Sequence, residues 1–223
     1  MFEEIDRLIE EREEDFPNNL LRARDLLLEI VKGEENKGPA YARLAHALFW
    51  LGEFSESDSD KDKYFGEAVE HGKKAVELAP DMVESHLWYG ASMGSHGVVR
   101  GIMSSLFYLG PVEKHGTRAM EMDRAYFMAA PLRLMGRFFH QAPGWPIGSG
   151  DTNKAIKILE EAVQVGPEFL YNQIYLADAY LSKGRKDEAK KLLEDVLGRP
   201  EPEKGKLQYA LYQRDAKKLM EKL

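Results

Sequence analysis

Residues 151–200 read DTNKAIKILEEAVQVGPEFLYNQIYLADAYLSKGRKDEAKKLLEDVLGRP, and this stretch carries the clearest internal repeat of the chain. Ala155 and Leu159 lie one helical turn apart, and the same two residue types return 34 positions later at Ala189 and Leu193. Residues spaced in this way share one face of an α-helix. The stretch therefore predicts amphipathic helices that recur as a unit.

Glycine and proline mark the ends of the predicted helices. Gly184 suits a tight turn between paired helices, where a positive φ is often needed. Pro167 and Pro200 end the second helix of a pair, because proline has no N–H to continue it. Pro131 predicts that the helix at residues 126–141 begins near that proline.

A 34-residue period with this pattern is typical of tetratricopeptide (TPR) repeats, whose helix pairs stack because one pair cannot bury its apolar face alone. We therefore predict an all-α, TPR-like solenoid of about four to five helix pairs, with long insertions and a C-terminal capping helix. Residues 1–223 are treated as a single domain. Its parts are an N-terminal helix pair at 1–37, repeats at 38–81, 82–125, 126–167 and 168–200, and a cap at 201–223 that packs through Leu207, Ala210, Leu211, Ala216 and Leu219.

Composition excludes several classes of protein. The 223 residues include no cysteine, which excludes disulfides, thiolate catalysis and cysteine–zinc sites. The net charge is −7 and no basic stripe with interleaved aromatic residues occurs, so we predict no nucleic-acid binding. No apolar run approaches the roughly 20 residues of a membrane span. No signal peptide is visible, which predicts a cytoplasmic location as written, or a periplasmic one if an export segment was removed.

The sequence gives no positive support for enzyme activity. The six histidines are scattered, none lies in H-E-x-x-H, and no G-x-S-x-G motif occurs. Asp58, Asp60 and Asp62, in the insertion SESDSDKDK, resemble a calcium loop, but Lys63 stands where that loop needs glycine. We therefore predict a solvated, mobile loop there, and no catalytic residue, metal or cofactor in the chain.

A second insertion, at residues 97–111, reads GVVRGIMSSLFYLGP and is expected to lengthen both helices of the third repeat. Its candidate interface residues are Ile102, Met103, Leu106, Phe107 and Tyr108. If exposed, they would form an apolar patch of the kind that marks an interface. If buried, they would plug the solenoid. We favour burial or self-association, so a homo-oligomer is one expectation.

The concave side of a TPR stack is the predicted binding surface, and it is lined by the first helix of each pair. Arg133, Arg137 and His140 stand at i, i+4 and i+7, so they share a helix face. Guanidinium groups pair in a bidentate manner with carboxylates and phosphates. Alternatively, these arginines pair with structural acids such as Asp178 or Glu84, or are simply solvated. The remaining candidate ligand-binding residues form an apolar wall: His46, Phe49, Trp50 and Trp88.

Two further segments carry a more specific resemblance. The segment HLWYGASMGSHG opens the long third repeat, and PGWPIGSGDTNKAIKILEEAV follows the next predicted helix. This combination resembles the T-component proteins of TRAP (tripartite ATP-independent periplasmic) transporters and the regulator-of-microtubule-dynamics type of TPR protein. The T-component resemblance implies a trimerising helical protein with a ligand-sized channel that partners a periplasmic solute-binding protein for organic acids. The chain departs from that family in having no lipoprotein cysteine and no signal sequence.

Three functions stay open on the sequence. The first, which we favour, is a non-catalytic scaffold whose concave groove binds a peptide, a partner protein or a small anionic ligand. The second is a T-component-like periplasmic accessory protein that oligomerises and holds an organic acid. The third is a structural adaptor that acts through the insertion at residues 97–111.

Overall fold

The computed structural model of the protein describes residues 2–33 and 35–223. Across these residues it contains eleven α-helices and no β-strand. The helices form five successive pairs followed by one final helix. The prediction of an all-α, TPR-like solenoid with a C-terminal cap is therefore confirmed.

Contacts between residues divide the chain into two compact units, 1–122 and 123–223. The first unit contains α1 (Glu3–Glu10), α2 (Asn18–Ile30), α3 (Lys37–Phe54), α4 (Asp58–Leu78), α5 (Val83–Arg100) and α6 (Ile102–Met122). The second contains α7 (Tyr126–Gln141), α8 (Thr152–Val165), α9 (Tyr171–Ser182), α10 (Lys186–Gly198) and α11 (Lys206–Met220). The assignment of residues 1–223 to a single domain stays a prediction.

The repeated apolar residues of the second unit form its core. Ala155 and Leu159 on α8, and Ala189 and Leu193 on α10, are completely buried. Gly184 has a φ of 72°, which a side chain would disfavour, and it lies in the turn between α9 and α10. There, Gly184 N–H donates to the Leu181 carbonyl and Arg185 N–H to the Tyr180 carbonyl, which satisfies the last carbonyls of α9.

The acidic insertion is helical, so the prediction of a mobile loop at SESDSDKDK is wrong. Helix α4 begins at Asp58, and the Ser57 hydroxyl caps it by accepting the Asp60 N–H at 3.0 Å. Asp58 and Asp60 then lie in the first turn, where the positive end of the helix dipole favours carboxylates. The aspartates that resemble a calcium loop are therefore helix-start residues.

The insertion at residues 97–111 lengthens α5 and α6, as predicted. Helix α5 runs to Arg100 and α6 starts at Ile102, so only Gly101 separates them. Gly101 has a φ of 92°, which permits this sharp reversal. Pro111 lies inside α6.

The predicted buried face of the cap is wrong in part. Helix α11 buries Gln208 and Tyr212 together with Ala216 and Leu219. Leu207, however, is 38% exposed, and Ala210 is exposed as well. The apolar face is rotated because the ring of Tyr212 packs edge-on against Phe169 and Tyr171. Among the described residues, no helix is both long and apolar enough to cross a membrane.

Candidate functional site

Helices α7, α9 and α11 of residues 123–223 form one layer. Helix α9 contacts α7 on one side and α11 on the other. Helix α8 packs on α7 and α9, and α10 packs on α9 and α11. The layer leaves a polar surface that we call the α7–α9–α11 face, formed by Arg133, Arg137, His140, Tyr175, Asp178 and Lys222.

Helix α7 begins with a left-handed turn. Phe127, Met128 and Ala129 have φ angles of 46°, 54° and 62°. Residues other than glycine rarely adopt this region, and three in succession cost free energy that surrounding contacts must offset. Regular right-handed geometry follows the turn, which agrees with the prediction of a helix start near Pro131.

Asn172 on α9 holds this turn in place. Its buried side-chain amide lies 3.2 Å from the Met128 carbonyl oxygen, 3.1 Å from that of Ala162 and 2.7 Å from that of Gly166. The side-chain oxygen of Asn172 accepts a hydrogen bond from Arg133 Nη1 at 3.1 Å. Arg133 also donates to the Met128 carbonyl at 2.9 Å. One edge of the Arg133 guanidinium is therefore committed to the fold.

Aromatic rings hold both arginines of α7. The guanidinium carbon of Arg133 lies 3.9 Å from the ring centroid of Phe169, and that of Arg137 lies 4.5 Å from the centroid of Tyr175. Arg137 Nη1 also donates to the Asp178 carboxylate at 2.6 Å. The Arg137 side chain is nevertheless 29% exposed. Cation–π contact and ion pairing thus fix a guanidinium that still reaches solvent.

His140 and Lys222 extend the same row. His140 Nε2 lies 2.9 Å from Ser182 Oγ, and Lys222 Nζ lies 3.8 Å from the Asp178 carboxylate. Burial lowers the pKa of His140; Asp178 acts to raise it, and Arg137 and Lys222 lower it further. The neutral imidazole is therefore favoured near neutral pH, and the cations of the face are Arg133, Arg137 and Lys222.

Charge on the α7–α9–α11 face favours an anionic ligand. Arg137 and Lys222 share the Asp178 carboxylate, and the Asp215 carboxylate of α11 accepts a hydrogen bond from the Tyr171 hydroxyl of α9 at 2.8 Å. Residues 123–223 as a whole contain 17 Lys and Arg against 14 Asp and Glu, whereas residues 1–122 contain 14 against 24. Oriented guanidinium groups are suited to carboxylate oxygens, which they can bind with two parallel hydrogen bonds.

The four candidate wall residues lie in residues 1–122 and are mostly buried. The ring of His46 stacks on Trp88 at 3.7 Å between centroids, and Phe49 lies 5.4 Å from Trp88. Trp50 and Trp88 are each only 3% exposed. Burial lowers the pKa of His46 well below its usual value, and Arg12 lowers it further. Packing accounts for these positions, and their contact with a ligand stays a prediction.

The apolar insertion is exposed rather than buried, so the prediction that it plugs the solenoid is wrong. Ile102 and Met103 are each 80% exposed, Phe107 is 79% exposed and Leu106 is 37% exposed. We call these four residues the α6 stripe. Tyr108 instead faces α5, with its hydroxyl 3.1 Å from His96 Nδ1. The role of these residues as an interface stays a prediction.

The first unit also contains a histidine pair that the sequence does not predict. The Nδ1 atoms of His86 on α5 and His115 on α6 lie 2.9 Å apart, and His86 Nε2 lies 2.9 Å from the Pro80 carbonyl oxygen. Burial, helped by His86 and Lys114, lowers the pKa of His115 to about 4. No local motif links two histidines on different helices, so spacing alone does not predict the pair. Within the described part of the chain, no three His, Cys, Asp or Glu side chains are grouped to hold a metal ion.

Comparison with known proteins identifies the family. The family model described as "Regulator of microtubule dynamics protein 1-3" matches residues 1–143, which is more than half of the chain. The chain belongs to the regulator of microtubule dynamics family. A tetratricopeptide repeat model matches residues 147–201, in agreement with the repeat found in the sequence.

Two curated members of the family match this chain. "Regulator of microtubule dynamics protein 3" of Rattus norvegicus is 25% identical over 170 residues, which cover 68% of this chain and 35% of that protein. The protein of the same name from Bos taurus is 26% identical over 177 residues, covering 71% and 36%. The chain thus spans about a third of the length of the curated relatives it matches.

Two solved structures share the fold. A thermophilic TPR protein of Thermus thermophilus has a TM-score of 0.63 at 19% identity, covering 89% of this chain and 91% of that chain. MamA has a TM-score of 0.52 at 18% identity, covering 92% and 91%. At these identities the likeness shows the fold alone, and a TPR fold supports a scaffold role in protein interactions. The resemblance to transporter T-components stays a prediction.

Proposed function

We propose that this member of the family is a non-catalytic scaffold that binds an acidic peptide segment of a partner protein along the α7–α9–α11 face. The strongest support is that the Arg137 guanidinium is fixed by its neighbours and still partly exposed. Its guanidinium is held by the Tyr175 ring and the Asp178 carboxylate, and its side chain is still 29% exposed. A side chain that is already ordered loses less conformational freedom when it binds.

The spacing of the cationic row favours a peptide over a small organic anion. Arg133 and Arg137 are one helical turn apart, which corresponds to roughly 6 Å along the α7 axis. Alternate residues of an extended peptide are separated by a similar distance, roughly 6.6 Å. A peptide with acidic residues at alternate positions can therefore place one carboxylate near each arginine, whereas a small monocarboxylate occupies only one of them.

The proposal is tested with a fluorescently labelled synthetic peptide that carries glutamate at alternate positions. We expect Arg137→Ala to weaken binding about tenfold, because a charge-assisted hydrogen bond is lost. The matched control is Arg199→Ala, since Arg199 is ion-paired with Asp195 on α10 at 2.9 Å and lies outside the α7–α9–α11 face. Equal affinity of Arg137→Ala and the unaltered protein for the peptide would refute the proposal.

The T-component-like alternative makes a different prediction. A protein of that kind would appear in native mass spectrometry as a trimer that retains a small organic acid from purification. The scaffold that we propose would appear without such an acid, and its peptide affinity would depend on Arg137. The two functions are therefore separated by one spectrum and one binding titration.

A further inference from the structure

The side chain of His140 is held in one tautomer. The Ser182 hydroxyl donates its hydrogen to the Asp178 backbone carbonyl at 3.1 Å, so Ser182 Oγ accepts the hydrogen of His140 Nε2, which lies 2.9 Å away. Nε2 therefore carries the hydrogen of the neutral ring, and Nδ1 is bare. The His140 side chain is only 8% exposed, and no described residue makes a hydrogen bond to its buried Nδ1 atom. Buried polar atoms rarely lack such a partner, so this one calls for an explanation.

The bare Nδ1 atom faces a second acceptor. It lies 3.8 Å from the same Asp178 carboxylate oxygen that accepts a hydrogen bond from Arg137 at 2.6 Å. Two acceptors cannot bond until a proton lies between them. Protonated His140 would have to move about 1 Å toward Asp178 to reach hydrogen-bond distance. His140 can therefore replace Arg137 as the donor to this carboxylate, but only after it takes up a proton.

The surroundings of His140 decide how readily the ring takes up that proton. Burial has the largest effect and lowers the pKa of His140. Asp178 on α9 acts to raise this pKa, whereas Arg137 on α7 and Lys222 beyond the end of α11 act to lower it. In the free protein, Arg137 also offsets the charge of Asp178. If Arg137 moves away, both of its effects are removed, and the pKa of His140 rises.

We propose that binding of an acidic peptide to the α7–α9–α11 face is coupled to the uptake of one proton by His140. When the Arg137 guanidinium turns toward a carboxylate of the peptide, Asp178 loses its hydrogen bond from Arg137 and gains one from Nδ1 of the protonated ring. The proton comes from solvent and returns to it when the peptide leaves. This inference rests on the function proposed above and adds regulation by pH to the same surface.

The direction of the pH effect follows from linkage between proton uptake and peptide binding. A group whose pKa is higher in the complex than in the free protein strengthens binding as the pH falls. The glutamates of the peptide stay charged above about pH 5, because the usual pKa of glutamate is about 4.3. We therefore expect the affinity for the peptide to rise about fivefold as the pH falls from about 8 to about 5.5.

The test is a titration of the full chain with the alternate-glutamate peptide at several pH values. His140→Gln removes the titrating ring and keeps an amide that can donate to Ser182 Oγ. The matched control is His71→Gln, on α4 within residues 1–122. We expect the affinity of His140→Gln to change by less than about twofold over this pH range, and that of His71→Gln to change as in the unaltered protein. Calorimetry in buffers with different heats of ionisation should show proton uptake that His140→Gln lacks.

The possible results separate this inference from the proposed function. If the affinity does not change with pH while Arg137→Ala still weakens binding, the coupling to His140 is wrong and the proposed function stands. A pH dependence that persists in His140→Gln would also overturn the coupling, because another group would then be titrating. If the unaltered protein binds the peptide no better than Arg137→Ala at any pH, the function and the coupling are both refuted.

NMR of the imidazole nitrogens tests the assigned tautomer without the peptide. We expect the neutral ring of His140 in the free protein to carry its hydrogen on Nε2. A neutral ring with its hydrogen on Nδ1 would already be able to donate to Asp178 without a proton from solvent. That result would overturn the proposal.

Discussion

Arg137 on α7 donates a hydrogen bond to the Asp178 carboxylate on α9, with 2.6 Å between nitrogen and oxygen. The same carboxylate lies 3.8 Å from His140 Nδ1 and 3.8 Å from Lys222 Nζ. One acid is therefore shared by two cations and a histidine. Asp178 should influence both the stability of this unit and its affinity for an external carboxylate.

Asp178→Asn is predicted to have opposite effects on stability and on peptide binding. The free energy of unfolding should fall by about 1 kcal/mol, because the charge-assisted hydrogen bond between Arg137 and Asp178 is lost while both side chains keep partial contact with water. Affinity for the acidic peptide should rise, because the peptide no longer competes with Asp178 for Arg137. Urea unfolding and a fluorescence titration measure the two quantities. A lower affinity in this variant would count against the proposed role of Arg137.

Asn172→Ala is predicted to destabilise the protein strongly. The substitution removes the amide that binds the carbonyl oxygens of Met128, Ala162 and Gly166, and these groups are left without that donor. We expect a loss of about 2–4 kcal/mol in the free energy of unfolding, because buried polar groups lose their partners at a strained turn. The control is Asn153→Ala, at an exposed position of α8. This substitution should change the free energy of unfolding by less than about 0.5 kcal/mol. Similar unfolding curves for the two variants would show that Asn172 does not hold the left-handed turn.

Glycine to alanine substitutions at two helical positions should have opposite effects. At Gly136 on α7, an added Cβ would overlap Leu159 Cγ, so we expect a loss of about 1–3 kcal/mol in the free energy of unfolding from overpacking. At Gly94 on α5 nothing lies within 4 Å of the added Cβ. Gly94→Ala should therefore stabilise the protein by about 0.5–1 kcal/mol, because alanine favours the helix. Thermal unfolding of the two variants measures both effects, and equal shifts would contradict the close packing of α7 on α8.

Acid is predicted to destabilise the protein through its buried histidines. The pKa of His115 is lowered from 6.5 to about 4, so on acidification the unfolded chain binds a proton before the folded one does. The stabilising contribution is complete above pH 6.5 and is lost as the pH falls toward about 4. Urea unfolding at several pH values measures this dependence of the free energy of unfolding on pH. His115→Asn keeps a polar group near the Nδ1 position and should make the free energy of unfolding less dependent on pH; an unchanged dependence would argue against this role of His115.

The fold could be predicted from the sequence because helical spacing reports which residues are buried. Ala155, Leu159, Ala189 and Leu193 repeat with the TPR period, and all four are fully buried. Helical spacing could not predict the secondary structure at the beginning of α4. A run of acidic residues is typical of a loop, and it equally suits the start of a capped helix. The outcome depends on the Ser57 hydroxyl, whose capping bond is a local contact that periodicity does not report.

The site could be predicted only where its residues lie on one helix. Arg133, Arg137 and His140 share a face of α7, which their spacing indicates. The acid that pairs with Arg137 lies 41 positions away on α9, and the sequence indicates Asp178 only as one alternative. The role of Asn172 could not be predicted from the sequence, because its three acceptors are backbone carbonyls that become neighbours only after the helices pack. Pairings of this kind depend on tertiary structure rather than on local pattern.

The claim that the α7–α9–α11 face binds acidic peptides is tested most directly by NMR of the arginine side-chain Nε–H groups. The peptide with alternate glutamates is titrated into the protein, and the signals of Arg133 and Arg137 are compared with that of Arg199. We predict saturable shifts for Arg133 and Arg137 and none for Arg199. The claim would be contradicted if the peptide binds and shifts other signals of the protein while the Arg133 and Arg137 signals stay unchanged.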